Sequence, residues 1–340
     1  MFHRILVPLD GSAPAERALL VAARLARSLN GALILVRVVQ PSFQSATFLS
    51  PALEMETQIL PENLDRATAY LAGVTQRPEL AGIKCETVVL VGYPAEMILN
   101  VVQSGQADVI VLCSHGRTGL LRWVLGSAAQ RIVHQAPVPV LVLHQQGPAP
   151  TTDDQRPLRA LVPLDGSWLA EAALGSAATL VSLLAPQGQR IVHLVRVVKS
   201  PPVESEAAPK PSPEARAREA ALLEAQDYLS RTAEYLQRGP LAQLQVETTW
   251  SALVDQDVAG ALVNLAQRVP TATSTEDMGS FDLIAMATHG RGGLHRWVMG
   301  SVTERVLSAT KLPLLVIRPQ EVIVTNRLNA EPSIREMVLT

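Results

Sequence analysis

The chain has 340 residues, of which 48% are hydrophobic and 18% charged, and its formal net charge is -2. This amount of apolar surface excludes a disordered chain, and the nearly neutral charge gives no electrostatic basis for binding nucleic acid. The length predicts two domains, because a domain commonly spans about 100 to 200 residues.

Short runs rich in Val, Ile and Leu predict five buried strands in the first part of the chain, and apolar residues at helical spacing predict four helices between them. The strands are residues 4–9, 33–39, 84–91, 109–113 and 138–144, and the helices are residues 15–28, 64–74, 95–103 and 127–134. Strands that alternate with helices predict an α/β fold with a parallel sheet and right-handed crossovers.

Residue types predict where these helices begin and stop. Ser12 is expected to cap the first helix, and Asn30 followed by Gly31 is expected to stop it. Pro94 is expected to head the third helix, and Ser127 to cap the fourth.

Three blocks of the first half recur in the second half in the same order. Two are identical and one agrees at ten of fourteen positions: residues 6–12 with 161–167 (LVPLDGS), 35–39 with 194–198 (LVRVV), and 114–127 with 288–301. Such a repeat predicts that one structural unit occurs twice.

The repeat divides the chain into a first domain, a linker, a second domain and a C-terminal tail, at residues 1–146, 147–157, 158–320 and 321–340. The linker is rich in Pro, Gln, Thr and Asp and has no apolar period. Within the second domain, residues 200–213 are interpreted as a surface loop, and residues 41–61 as its counterpart in the first.

Residues suited to a ligand follow the first and fourth strands, where an open parallel sheet binds ligands at the reversal of its strand order. Asp10 follows the first strand, and a glycine-rich segment ending in Gly126 and Ser127 follows the fourth. Glycines before a helix N-terminus let backbone N–H groups meet a phosphate, while a carboxylate accepts ribose hydroxyls or holds a cation. The second copy carries the same set, Asp165, Gly290, Gly300 and Ser301.

Each of these residues also has a purely structural interpretation. An isolated glycine pair often serves turn geometry alone, and Asp-Gly-Ser is a common turn sequence in which Asp10 holds its own turn. His115 and His289 have no partnered nucleophile and are interpreted as loop hydrogen-bonders. Cys113 is interpreted as a small apolar residue rather than a redox sensor.

With its repeated Asp and two segments that follow the family pattern G-x2-G-x9-G-[S/T] from its second glycine onward, the chain resembles a tandem universal stress protein over about residues 2–144 and 158–319. The resemblance implies two tandem open five-stranded parallel sheets of order 3-2-1-4-5, with helices on both faces, in a Rossmann-like nucleotide-binding fold. It also implies an adenine nucleotide as the ligand, ATP, ADP or AMP, with Mg2+ held mainly by the phosphates.

Carried over by position, the resemblance implies one set of nucleotide contacts in each copy and no catalytic residue or protein metal ligand. The first set is Pro8, Asp10, Val38, Cys113, Gly116, Gly126, Ser127 and Ala128. The second set is Pro163, Asp165, Val197, Ala287, Gly290, Gly300, Ser301 and Val302.

The first glycine of the family pattern is replaced in both copies, by Cys113 and by Ala287. A Cβ at this position would crowd the ribose or phosphates, or would change the backbone if the position needs a positive φ. Because Ala is the smaller change, we expect the second site to bind if only one does.

Three functions follow from these observations. The preferred one is a stress-response regulatory protein that binds ATP or another adenine nucleotide at the strand ends of one or both domains. The second is a slow ATPase or self-phosphorylating protein, and the third is an interaction module whose pockets no longer bind nucleotide. The chain has no Walker A loop, G-x-G-x-x-G, HExxH or G-x-S-x-G, so no dedicated catalytic machinery is predicted.

The apolar fifth strands, residues 139–144 and 313–318, would be costly to leave open and predict an antiparallel pairing within the chain, giving a pseudo-dimer. A further homodimer is left open. Two cysteines, no signal-peptide pattern and no run of about 18 apolar residues predict a cytoplasmic protein with no membrane partner and no nucleic-acid partner.

Overall fold

The computed structural model shows alternating strands and helices in two compact units, Met1–Gln145 and Gln146–Thr340. The residues that the structure describes are 2–40, 52–105, 107–114, 125–150, 156–199, 213–239, 241–268, 280–289 and 299–319. The predicted tail lies outside these residues.

The first unit contains five strands and four helices. The strands are β1 (Arg4–Pro8), β2 (Ala32–Val39), β3 (Lys84–Val91), β4 (Val109–Cys113) and β5 (Val140–Leu143), and the helices are α1 (Ala13–Leu29), α2 (Ala52–Thr75), α3 (Pro94–Gly105) and α4 (Ser127–Gln135). All neighbouring strands are parallel, in the order β3-β2-β1-β4-β5. This is the predicted order 3-2-1-4-5.

The second unit repeats this arrangement. Its strands are β6 (Leu158–Pro163), β7 (Arg190–Val198), β8 (Glu247–Val254), β9 (Leu283–Ala287) and β10 (Leu314–Ile317), and its helices are α5 (Trp168–Leu184), α6 (Pro213–Arg238), α7 (Val258–Ala266) and α8 (Ser301–Ala309). The strands are parallel in the order β8-β7-β6-β9-β10. Short 3-10 turns at Pro78–Leu80 and Ala242–Leu244 precede β3 and β8.

The core lies on both faces of each set of strands. Ile5, Leu6 and Val7 of β1 are consecutive and all have 0% exposure. Because consecutive strand residues point to opposite faces, such burial requires helices on both sides. The α1 helix packs on β1, β2 and β4, and α5 packs on β6, β7 and β9.

Strand order reverses beside the first strand of each unit. The chain moves outward from β1 to β2 and β3 and then returns to β4 on the other side of β1. The carboxyl ends of β1 and β4 therefore lie side by side at this reversal, which is where an open α/β sheet binds ligands. The same reversal occurs between β6 and β9.

Most predicted helix ends are confirmed. Ser12 caps α1 by accepting a hydrogen bond from Ala15 N at 3.3 Å, and Asn30 ends it in the left-handed region at φ 50°. The prediction that Ser127 caps α4 is wrong, because Gly126 is the N-cap and Ser127 is the first helical residue. Gly126 donates its N–H to Ser114 O at 2.9 Å, which fixes it in an extended conformation just before the helix.

The predicted loop over residues 41–61 is wrong in its second half, because α2 already begins at Ala52 and continues through Pro61. Residues 52–60 are mostly good helix formers, and their propensity outweighs a single internal proline. Residues 200–212 of its predicted counterpart lie outside the described residues, and α6 begins at Pro213.

Candidate functional site

A tight Asp-Gly-Ser turn follows the first strand of each unit. In the first unit, Asp10 Oδ1 accepts hydrogen bonds from Ser12 N at 2.9 Å and Ser12 Oγ at 2.6 Å. Gly11 between them has a φ of +80°, which favours glycine. The turn-holding role expected of Asp10 is therefore confirmed.

The second unit reproduces this turn. Asp165 Oδ1 accepts from Ser167 N at 2.9 Å and Ser167 Oγ at 2.6 Å, and Gly166 has a φ of +85°. Ser167 Oγ in turn accepts from Ala170 N at 3.3 Å and caps α5. Both aspartates are thus held in one orientation at the strand end.

The last glycine of the motif ties its helix to the end of the fourth strand. Gly300 donates its N–H to Thr288 O at 2.7 Å and is the N-cap of α8, with no side-chain cap. The first N–H groups of a helix have no intrahelical partner, so those of Ser301 and Val302 are suited to an anion. Ser127 and Ala128 occupy the same places at the start of α4.

The second unit has one further bond at this position. Thr303 Oγ1 donates to Ala287 O at 2.9 Å and joins the first turn of α8 to the last residue of β9. The corresponding residue of the first unit is Ala129, which has no hydroxyl group. The start of α8 is therefore held more firmly than that of α4.

Cys113 and Ala287, which replace the first glycine, are the last residues of β4 and β9. Neither is among the described residues with a positive φ. A Cβ at this position therefore does not force a change of backbone angle. Of the two expected effects, only the crowding of the ribose or phosphates still applies. Ala287 is 5% exposed and is one of the residues that line the cavity described next.

A cavity of about 800 Å3 lies over the carboxyl ends of β6, β7 and β9 in the second unit. Its volume is within the range of about 300 to 1,000 Å3 typical of small-molecule sites. The predicted residues that line it are Pro163, Asp165, Val197, Ala287, Gly300, Ser301 and Val302. These seven residues come from three separate parts of the sequence, residues 163–165, 197 and 287–302, and they line the same cavity.

The remaining lining combines apolar and charged side chains. Met286, Met299, Val258 and Leu262 supply apolar surface, and α6 contributes Ala221. The other charged or titratable side chains are Arg196, Lys199, Glu224 and His289. A cavity lined by apolar side chains together with a few polar groups is typical of small-molecule sites.

His289 places a hydrogen-bonding atom at this cavity. Its Nδ1 lies 2.9 Å from Thr288 Oγ1, which agrees with the expected role of a loop hydrogen-bonder. Its Nε2 is buried and has no hydrogen-bond partner within the described parts of the chain. A ligand group in the cavity would satisfy this atom.

A group of three polar side chains, which we call the Glu-Tyr-Arg triad, stands beside the Asp turn in both units. In the first unit Tyr70 Oη donates to Glu16 Oε1 at 2.8 Å, and the Arg37 guanidinium lies 5.1 Å from the Tyr70 ring centre. In the second unit the members are Glu171, Tyr228 and Arg196, with corresponding distances of 2.8 and 5.4 Å.

The carboxyl groups of the two triads differ in their surroundings. Burial raises the pKa of Glu16, but hydrogen bonds from Arg77 and Tyr70 outweigh it and hold this pKa below its usual value. Burial raises the pKa of Glu171, and neither the Tyr228 hydrogen bond nor any guanidinium reverses this shift. The charge of Asp165 raises it further.

The predicted residues of the first unit occupy the equivalent strand ends. Pro8 ends β1, Val38 lies near the end of β2 and Cys113 ends β4. Gly116 and Gly290, the second glycines of the two motifs, lie outside the described residues, as does His115.

In the described parts of the chain, no three His, Cys, Asp or Glu side chains are grouped to hold a metal ion. Within the same parts, every helix is too short or too polar to cross a membrane.

Sequence reasoning missed the triads and Thr303. Glu stands six positions after Asp in both copies, and Arg lies inside the repeated LVRVV block, so the repeat itself carried a signal for two triad members. The tyrosines lie in the long second helices, outside the matching blocks, where only the fold brings them to the strand ends.

Comparison with known proteins supports a family assignment. The model of the universal stress protein family matches residues 1–144 and 158–318. A universal stress protein of Mycolicibacterium smegmatis is 26% identical over 333 residues, covering 94% of this chain and 98% of that relative.

Solved structures agree in fold. A universal stress protein from Archaeoglobus fulgidus aligns with a TM-score of 0.63 at 20% identity, over 94% of this chain and 99% of that one. A structure from Pseudomonas aeruginosa aligns with a TM-score of 0.54 at 15% identity, over 94% of this chain and 94% of that one. The family model matches both units from the first strand to the fifth, and the chain therefore belongs to the universal stress protein family.

Proposed function

We propose that this protein binds an adenine nucleotide, ATP, ADP or AMP, in the cavity of the second unit and acts as a regulatory protein in a stress response. The observation that carries the proposal is the meeting of seven predicted contact residues at one cavity of about 800 Å3. The regulatory role rests on membership of the family.

The cavity offers a suitable group for each part of a nucleotide. The N–H groups of Ser301 and Val302 at the start of α8 would hold phosphates. Asp165, whose Oδ1 is fixed by Ser167, would accept a ribose hydroxyl, and Val197 would lie against the base. His289 Nε2 would find its missing partner on the ligand.

Mg2+ fits this site only as part of a nucleotide complex. The carboxylates that line the cavity are Asp165 and Glu224, and Glu224 is paired with Arg196. Because Mg2+ is commonly bound through one or two carboxylates together with substrate phosphates, Asp165 would be the nearest protein group. The ion would neutralise phosphate charge, and it would not occupy a separate site formed by the protein alone.

The second unit is the stronger candidate of the two. Ala287 is smaller than Cys113, and the Thr303 bond holds the start of α8 where Ala129 offers none at α4. We therefore propose that the first unit binds the same ligand more weakly or not at all.

Titration calorimetry with ATP and Mg2+ tests the proposal. A Cβ on Gly300 would lie 3.1 Å from Thr288 O and would cover the first N–H groups of α8, so Gly300→Val is expected to weaken binding at least about tenfold. Gly73→Val, at an exposed helix position with open space around the Cβ, is the matched control and should bind as the wild type does. Equal affinity in both variants would contradict the proposal.

A phosphate-release assay separates the regulatory function from a slow ATPase. With no dedicated catalytic motif in the sequence, we expect turnover too slow to deplete bound ATP during a binding experiment. Release that is fast and abolished by Gly300→Val would favour the ATPase. Absence of any nucleotide binding would favour the interaction module.

A further inference from the structure

Each Glu-Tyr-Arg triad has one further charged partner. This partner binds the glutamate of the triad in the first unit and the arginine of the triad in the second. In the first unit the Arg77 guanidinium pairs with Glu16 at 2.8 Å. In the second unit the Glu224 carboxylate pairs with Arg196 at 3.2 Å. In the second unit this ion pair therefore holds the arginine of the triad, which lines the cavity.

The register of α2 and α6 identifies the equivalent positions. Both helices carry Ala, Tyr and Leu in the same spacing, with the Ala and Leu buried: Ala67, Tyr70 and Leu71 in α2 and Ala225, Tyr228 and Leu229 in α6. By this register Glu224 corresponds to Arg66, and Arg77 corresponds to Tyr235. Arg66 is exposed and pairs with Glu62 at 3.4 Å, so the first unit carries a cation at the helix position where the second carries the carboxylate that binds Arg196.

The arginines of the triads lie next to the ligand-binding parts of each unit. Arg37 Nη1 is 2.6 Å from the point that a Cβ on Gly11 would occupy, so this guanidinium lies against the Asp10 turn. Arg196 lines the second-unit cavity, is 8% exposed, and contacts both Glu224 and the Tyr228 ring. The Arg196 side chain is 10% exposed and that of Glu224 is 66% exposed, so the pair is screened by salt less than a fully exposed pair and more than a buried one.

We propose that Glu224 is a positioning residue of the second site: by pairing with Arg196 it keeps the guanidinium at the α6 wall and the cavity open for the nucleoside. The first site, with Arg66 at the same helix position, binds the same nucleotide more weakly. This inference rests on the proposed function for its ligand, while the positioning of Arg196 stands on the structure alone.

The positioning role differs from a simple charge effect in its expected result. If Glu224 only added negative charge, its removal would strengthen binding of the anionic ATP and leave uncharged adenosine unaffected. If it positions Arg196, its removal lets the guanidinium move into the cavity towards the Asp165 carboxylate, and both ligands bind more weakly.

Calorimetry on the full chain with ATP and with adenosine distinguishes these cases. Glu224→Gln is expected to weaken both ligands about tenfold, and to have no further effect when Arg196→Met is already present. In a chain whose second site is blocked by Gly300→Val, Arg66→Glu is expected to strengthen binding at the first site. Unchanged affinities in Glu224→Gln, or tighter ATP with unchanged adenosine, would overturn the proposal.

The position of Arg196 can be measured without any nucleotide. In NMR spectra of arginine-labelled protein, slow rotation of the Arg196 guanidinium is expected in the wild type and faster rotation in Glu224→Gln, with unfolding temperatures checked for both. Identical rotation in the two proteins would overturn the positioning role. A wild-type protein that binds neither ATP nor adenosine would instead overturn the proposed function, and with it the difference in affinity.

Discussion

At one buried strand position the second unit carries a polar side chain where the first unit carries an apolar one. His193 of β7 is 3% exposed, and its ring nitrogens lie 2.8 Å from Thr249 Oγ1 and Ser251 Oγ of the neighbouring strand β8. Burial, together with the charge of Arg159, lowers the pKa of His193 from 6.5 to about 4. The first unit has Ile34 at the equivalent place in β2.

This histidine makes the second unit sensitive to acid. Because its pKa is lower in the folded state, the unfolded chain binds more protons between pH 6.5 and about 4. The contribution of the neutral His193 ring to the free energy of unfolding is fully present above pH 6.5 and decreases as the pH falls towards 4. For the wild type, this residue alone should remove about 2 kcal/mol from the free energy of unfolding at about pH 5 relative to neutral pH.

Urea unfolding of the wild type and of His193→Ile at about pH 7.5 and pH 5 checks this prediction. The variant takes the residue of the first unit and should lose less stability on acidification than the wild type. The same loss of stability in both proteins would show that His193 does not carry the effect.

The two tyrosines of the triads give a second prediction at this scale. Tyr228→Phe removes the hydroxyl that Glu171 accepts from, and we expect a loss of about 2 kcal/mol in the free energy of unfolding. Tyr70→Phe keeps the Arg77 partner of Glu16 at 2.8 Å, so its loss should be about half as large or less. Both substitutions keep the ring against the arginine, and equal losses in urea unfolding would contradict the difference.

Among the elements, α8 is the one whose placement matters most for the site. Its N-terminal end is held by the Gly300 N–H on Thr288 O at 2.7 Å and by the Thr303 hydroxyl on Ala287 O at 2.9 Å. Both bonds anchor the helix to the end of β9. The phosphate-binding groups proposed for Ser301 and Val302 depend on this anchoring.

Thr303→Ala, which copies the first unit, is expected to lower the free energy of unfolding by about 1 to 2 kcal/mol because Ala287 O loses a buried donor. It should also weaken nucleotide binding in calorimetry. Thr303→Ser keeps the hydroxyl and should retain most of both properties. A serine variant as impaired as the alanine variant would show that the methyl group, and not the bond, matters.

Strands and the position of the cavity could be predicted from sequence because their signals are local. Runs such as 109–113 are apolar over their full length, and the repeated LVPLDGS and glycine blocks mark the ends of strands directly. The start of α2 at Ala52 could not be predicted, since Pro61 lies inside the helix and local rules place a boundary there. The Glu224–Arg196 pair joins residues from two separate elements, and no local pattern indicates it.

At the scale of the whole molecule, the sequence makes a prediction about how the two copies associate. The apolar stretches 139–144 and 313–318 contain β5 and β10, and their antiparallel pairing within the chain remains a prediction from sequence. If they pair, a chain cut at a protease site inserted in the linker 147–157 should still elute as one species in gel filtration. Separation into two species after cleavage would contradict the pseudo-dimer.

The nucleotide content of the protein as purified tests the proposed ligand most directly. Acid extraction followed by chromatography should release ATP, ADP or AMP from the wild-type chain and much less from Gly300→Val, because the start of α8 is where the phosphates are proposed to bind. A wild-type protein that retains no adenine nucleotide and shows no saturable binding at millimolar ATP would contradict the proposed nucleotide site.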